Sequence, residues 1–294
     1  MASHPYYDDG LLDEYENGGA DIVALGDSWF HYPGSNLLEA LNRALSRSFV
    51  IAAYGENGAS AVDYMKPRHL PFWTGRVALN APRMKVFLIS GGGNDFAGLR
   101  DFSRIIRLDC SGATSVADCW RDGEPDGLLG RVEDAYEQII ARARADGFAG
   151  PVVVHNYDYA IPTGKGFFLF GKWLKAPMDL AQVPSALRRP LIRELIDRLE
   201  IMLKGLDDPA AQVRCVDSSG TLTEQEWANE LHPTPEGFDR IVRERWIPVV
   251  APLLGVAVPK AATAKAKLIK KQKARKKPRK TGKKKAAKGA KKHA

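Results

Sequence analysis

The chain has 294 residues, 45% of them hydrophobic, and a formal charge of +8 that conceals a division along its length. Residues 260–294 hold 17 Lys and Arg and no acid, leaving 26 basic against 35 acidic side chains in the body, so the body is near −9 and the tail near +17. That length and apolar content suit a full hydrophobic core, and no apolar run reaches the roughly 18 residues of a membrane-spanning helix. The opening segment, Met1 to Asp9, lacks the basic and apolar regions of a secretion signal, so a cytoplasmic protein is expected.

In chain order, an extension over 1–19 precedes a body over 20–258, and a Lys/Ala-rich tail follows over 259–294. Five apolar, β-branched runs predict strands: Asp21 to Gly26, Phe49 to Tyr54, Lys85 to Ser90, Pro151 to Asn156 and Gln212 to Asp217. Such nearly continuous apolar runs suit the central strands of a parallel sheet covered on both faces. Helices fit between them. Asn36 to Arg47 carries leucines at 37, 38, 41 and 45, Leu128 to Ala145 repeats the spacing, and Ala186 to Leu206 has leucines at 191, 195, 199 and 203. Thr234 and Pro235 read as the cap and first residue of a last helix, Glu236 to Trp246. The alternation predicts a three-layer α/β/α sandwich with a mostly parallel five-stranded sheet, whose chemistry lies at the carboxyl ends of the strands.

Ser28 stands at the exit of the first strand, in Leu25-Gly26-Asp27-Ser28-Trp29. A serine hydroxyl needs a base to take its proton, and a histidine titrating near neutrality is the usual partner. His232, in Asn229-Glu230-Leu231-His232-Pro233, is the histidine in a suggestive context; His155 ends an apolar strand and reads as a packed strand-end residue. Hydrolysis through a tetrahedral intermediate also needs donors for the oxyanion, and the N–H groups of Ser28 and Gly58 with the Asn94 amide could supply them. A glycine at 58 is expected so that no side chain blocks the approach of a substrate to that N–H.

These segments resemble the SGNH, or GDSL-like, hydrolase superfamily. Gly26-Asp27-Ser28, Gly55-Glu56-Asn57-Gly58, Gly92-Gly93-Asn94-Asp95 and His232-Pro233 match its four blocks in order, over roughly residues 20–255. The resemblance implies a flavodoxin-like sheet and metal-free, cofactor-free hydrolysis of carboxylic ester or thioester bonds through an acyl-serine. One position departs from the pattern. The family's last block reads Asp-x-x-His, whereas Asn229 stands three residues before His232. An asparagine can accept the ring N–H but brings no charge to the imidazolium. Asn229, a backbone carbonyl or Asp217 at the end of the fifth strand are the alternatives for orienting the base.

Ala160 to Leu180, with Phe167, Phe168, Phe170 and Trp173 between glycines, reads as an insertion over 160–182 that forms a lid or pocket wall. Trp29, Phe168 and Trp173 are the expected pocket residues. Gly166 to Lys172 mimics a phosphate loop, but Trp173 replaces its Ser/Thr, which excludes that reading. There is no Cys-x-x-Cys or His-Glu-x-x-His, so no metal site is indicated, and Cys110, Cys119 and Cys215 are expected as free thiols. The tail cannot bury enough apolar area to fold alone. It has no aromatics to stack on bases, so a nucleic acid bound through residues 260–294 is expected to be held non-specifically by its phosphates, with another polyanion, an anionic membrane surface or the protein's own acidic body as the alternatives. Two readings follow: a serine esterase with a polyanion tether, or a catalytically weak or inactive SGNH-fold binding protein whose tail is the working part.

Overall fold

The five apolar runs form one parallel sheet in a computed structural model of the chain, which describes Pro5 and residues 18–166 and 173–258. The strands are Ile22–Leu25 (β1), Ile51–Tyr54 (β2), Val86–Ile89 (β3), Val152–His155 (β4) and Val213–Val216 (β5). They lie in the order β2-β1-β3-β4-β5, with Ile22 opposite both Ile51 and Val86. Strands β1 to β4 are buried at every position, which is why each reads as a continuous apolar run rather than an alternating one. At the edge, Arg214 and Cys215 of β5 are half-exposed.

The intervening helices are Ser28–His31 (α1), Leu37–Ala44 (α2), Leu70–Asn80 (α3), Gly93–Phe96 (α4), Leu99–Ile105 (α5), Asp126–Ala145 (α6), Lys175–Leu180 (α7), Ser185–Gly205 (α8), Pro235–Ile241 (α9) and Ile247–Leu253 (α10). Helices α2 and α9 pack together, and α6 packs against α3 and α8. With the sheet these give the three-layer sandwich expected from the sequence. Asn36 caps α2 by accepting the Glu39 N–H at 3.0 Å, and Thr234 caps α9 by accepting the Gly237 N–H at 3.2 Å.

The last helix departs from expectation. It is α-helical only to Ile241, widens into a π turn over Val242–Trp246 and resumes as α10. Pro248 supplies the reason: it has no N–H for the carbonyl four residues back, and a widened turn before it relieves the clash of its ring.

Strand order decides where a ligand can enter. After β1 the chain crosses to β2 on one side and returns to β3 on the other, so a crevice opens beyond the carboxyl ends of β1 and β3. Asp27-Ser28 leaves β1 there, and Gly91 to Asp95 leaves β3.

Candidate active site

The turn after β1 is built around a buried carboxylate. Gly26 has no room for a side chain, since a Cβ would stand 2.3 Å from the Phe30 ring and 2.9 Å from the Ser90 Cβ. Asp27 then caps α1: its Oδ1 accepts from the Trp29 N–H at 3.0 Å and from Ser90 Oγ at 2.9 Å, and its Oδ2 from Tyr157 Oη at 2.6 Å. Burial pushes the Asp27 carboxyl above the usual range, and these bonds pull it back. Ser28, on the first residue of α1, is thereby held at the mouth of the crevice.

Residues 55–61 and 91–95 are clipped to each other. Asn94 Nδ2 donates to the Ala59 carbonyl at 3.1 Å, and Asp95 Oδ2 accepts from the Ala61 N–H at 2.8 Å. Burial raises the Asp95 carboxyl to about 6. At Gly58 the backbone itself calls for glycine, since φ is +86°, which L side chains rarely adopt; an added Cβ would meet no protein atom within 4 Å.

The histidine arrives on a tight loop, closed by the Ala228 N–H donating to the His232 carbonyl at 2.9 Å. His232 Nε2 lies 2.8 Å from Ser28 Oγ, and Nδ1 lies 3.0 Å from Asn229 Oδ1. That oxygen also accepts the N–H groups of Leu231 at 3.0 Å and His232 at 2.9 Å, which identifies it as the carbonyl end of the amide. The other end, Nδ2, donates to Tyr32 Oη at 2.9 Å. The amide is thus fixed in one orientation, Nδ1 carries the ring proton, and Nε2 is left bare toward the serine. Burial holds His232 far below the ordinary histidine range, at about 3, so the resting ring is neutral. The Tyr32 ring lies on it face to face, with centroids 4.0 Å apart and planes inclined by 15°.

The sequence-predicted residues therefore divide. Ser28, Asn229 and His232 form one hydrogen-bonded chain. Ser28 and Asn94 share the wall of a pocket of about 380 Å³, including the space open to solvent; Trp29, Phe96, Tyr157, Ile196 and Trp227 make much of its apolar lining. Gly58, Asn94 and Trp173 line an adjoining, more polar groove of about 1390 Å³, again including the space open to solvent, bordered by Lys66, Arg100 and Arg131 and by Asp63 and Asp101. Trp29 braces the His232 loop as well, since its Nε1 donates to the Leu231 carbonyl at 3.0 Å. The Trp173 ring stands nearly perpendicular to His232, 5.9 Å away. Phe168 lies outside the described residues, as do Phe167, Phe170 and the tail.

Asp217 is not the orienter: its Oδ1 accepts from the N–H and Oγ of Ser219 and from Asn156 Nδ2, and Nδ1 of His232 is taken by Asn229. His155 is packed among Trp29, Phe30, Tyr157 and Trp246, donates from Nδ1 to the Asn156 carbonyl, and is held near 4 by burial. Cys110, Cys119 and Cys215 are free.

Sequence reasoning missed two residues. Tyr32 is one. Glu230 is the other: fully buried, its Oε1 accepts the N–H groups of Gly164 (2.8 Å) and Lys175 (2.9 Å), and its Oε2 those of Trp173 (2.8 Å) and Leu174 (3.0 Å). One carboxylate thus grips the insertion on both sides of residues 167–172, two positions from His232.

The model of the GDSL-like lipase/acylhydrolase family matches residues 24–240. No curated protein sequence matches the chain. Among solved structures, the chain is similar to a phospholipase A1 from Streptomyces albidoflavus at 16% identity and a TM-score of 0.45, over 80% of this chain and 97% of that one. It is similar also to a carbohydrate acetylesterase from Sinorhizobium meliloti at 14% identity and a TM-score of 0.46, over 75% and 93% of the two chains. An extracellular lipase from Streptomyces rimosus aligns at 15% identity and a TM-score of 0.45, over 81% and 99%.

Proposed function

The chain belongs to the GDSL-like lipase/acylhydrolase family, and from that premise we propose that it hydrolyses carboxylic ester or thioester bonds through an acyl-serine intermediate, without a metal or cofactor. The observation that carries this reading is the 2.8 Å approach of Ser28 Oγ to a bare His232 Nε2. Ser28 Oγ attacks the acyl carbon as its proton passes to Nε2. The tetrahedral intermediate collapses, the C–O or C–S bond breaks, and the proton on Nε2 leaves with the alcohol or thiol. Water then repeats the sequence on the acyl-serine and regenerates the hydroxyl.

The Ser28 and Gly58 N–H groups and the Asn94 side chain are assigned to the oxyanion. An amide nitrogen has two hydrogens; the Ala59 carbonyl takes one from Asn94 Nδ2 and orients the other. Removal of one such donor typically costs about 3 kcal/mol of transition-state stabilisation. The apolar pocket beside Ser28 supports a short acyl group there, and the polar groove beyond Asn94 supports a bulkier alcohol or thiol portion.

Ser28→Ala tests the reading: the purified variant loses hydrolysis of short p-nitrophenyl esters, and wild-type turnover in that variant would reject it. The tail's charge of +17 supports a tethering role toward a polyanion in addition to hydrolysis.

A further inference from the structure

Once His232 has taken the serine proton, it is a buried cation with no carboxylate behind it. Asn229 Oδ1 accepts the Nδ1–H but is neutral. The acid next to Ser28 and the acid two residues before His232 are committed elsewhere, Asp27 to Trp29, Ser90 and Tyr157, and Glu230 to four backbone N–H groups of the insertion. Among the described residues no acid pairs with the His232 ring. What lies against the ring is aromatic: Trp173 nearly perpendicular to it, and Tyr32 flat on it at 4.0 Å.

The face of a phenol ring is the negative end of its quadrupole, and a cation within about 6 Å of the ring centre is attracted to it, more strongly where water is excluded. Resting on the reading of Ser28 and His232 given above, we infer that Tyr32 is a positioning residue that stabilises the His232 imidazolium through its ring face, in place of the charge an aspartate would carry at position 229. Local structure delivers it there. Tyr32 ends α1 in an extended conformation, φ −62° and ψ 129°, so the turn that presents the nucleophile also presents the ring. Its Oη accepts from Asn229 Nδ2, so one side chain both fixes the amide that orients the imidazole and covers the face of that imidazole.

The test keeps the shape of the ring and drains its face of charge. Tyr32→Phe and a series of mono-, di- and trifluorinated phenylalanines at position 32 are compared by the second-order rate at which a fluorophosphonate labels Ser28, in the full chain, with Asn229 and with Asn229→Asp. With Asn229 the rate falls stepwise with each fluorine, by about threefold to thirtyfold across the series. With Asn229→Asp the fall is smaller, because a carboxylate now carries the charge. A flat series, or equal falls in both backgrounds as simple packing would give, overturns the inference while leaving the hydrolase reading intact. A wild-type protein that does not react with the probe sinks both.

Discussion

Asn229 holds His232 twice, by its backbone and by its ring: a single oxygen, Oδ1, accepts the His232 N–H at 2.9 Å and faces Nδ1 at 3.0 Å. An aspartate would make the same contacts with a negative charge. On the proposed roles of Ser28 and His232, the asparagine separates two duties that the family pattern combines, orientation of the base and stabilisation of its cation, and keeps the first.

The pH profile reports that separation. Because burial holds His232 at about 3, the base is neutral well into acid, and kcat/KM of the native chain is expected to stay level from about pH 8 down to about pH 5. Asn229→Asp raises the histidine's pKa, moves the acid limb toward the ordinary histidine range, and keeps or raises kcat at pH 8. A native limb near pH 6.5 would contradict the buried neutral base.

Stability follows the same groups. His232 and His155 titrate near 6.5 when unfolded but are held at about 3 and about 4 in the fold. The unfolded chain then binds protons that the folded chain refuses, so stability is intact above pH 6.5 and is lost as pH falls toward the folded values. Each histidine contributes a slope of up to about 1.4 kcal/mol per pH unit inside that window. Urea unfolding between pH 7 and pH 4.5 measures the net slope, which Asp95 opposes because its carboxyl, raised to about 6 in the fold, takes up a proton there before the unfolded chain does; NMR should show both rings neutral at pH 5.

Much of this site is legible in the residues themselves. The parallel strands read as unbroken apolar runs because both of their faces are buried, and Ser28, Asn94, Asn229 and His232 stand in short blocks whose order survives any detail of packing. Tyr32 and Glu230 carry no such mark. Tyr32 reads as a loop aromatic until the fold sets it on His232, and Glu230 sits in a turn where an acid ordinarily faces water. Its burial depends on N–H groups donated from 55 to 66 residues away, a relationship that local pattern does not encode. The π turn before Pro248 escaped for a similar reason, since helical spacing continues through it.

Glu230→Gln replaces one acceptor oxygen with a donor and leaves buried N–H groups of the insertion without partners. The expected cost is about 3 kcal/mol or more. Thermal unfolding reads the stability loss, and limited proteolysis should find cleavage concentrated between residues 160 and 176. A variant as stable and as resistant as the native chain would remove the clamp.

The apolar pocket sets an expectation for substrate length. Ile196→Ala and Trp227→Ala enlarge it beside Ser28, so kcat/KM for hexanoyl and octanoyl p-nitrophenyl esters should rise relative to acetyl by about tenfold, on the scale of a few buried methylene groups. An equal change for all lengths would place the acyl chain elsewhere.

Deleting residues 260–294 tests the tail without touching the crevice. Esterase turnover is expected to be spared, and retention on a polyanionic resin at low salt to be lost. Retention by the shortened chain would assign polyanion binding to the body instead.

The grip of Glu230 also bears on how this protein can change. Both stems of the insertion end on one carboxylate, so Gly164 on one side and Trp173, Leu174 and Lys175 on the other are fixed footings close to His232 in the chain fold. The footings are held by Glu230, so exchange of the residues between Gly166 and Trp173 is expected to leave them, and with them His232, in place. Grafting of that stretch is expected to alter selectivity, and Glu230, whose side chain is taken up by four backbone N–H groups, is the residue that such grafting must leave untouched.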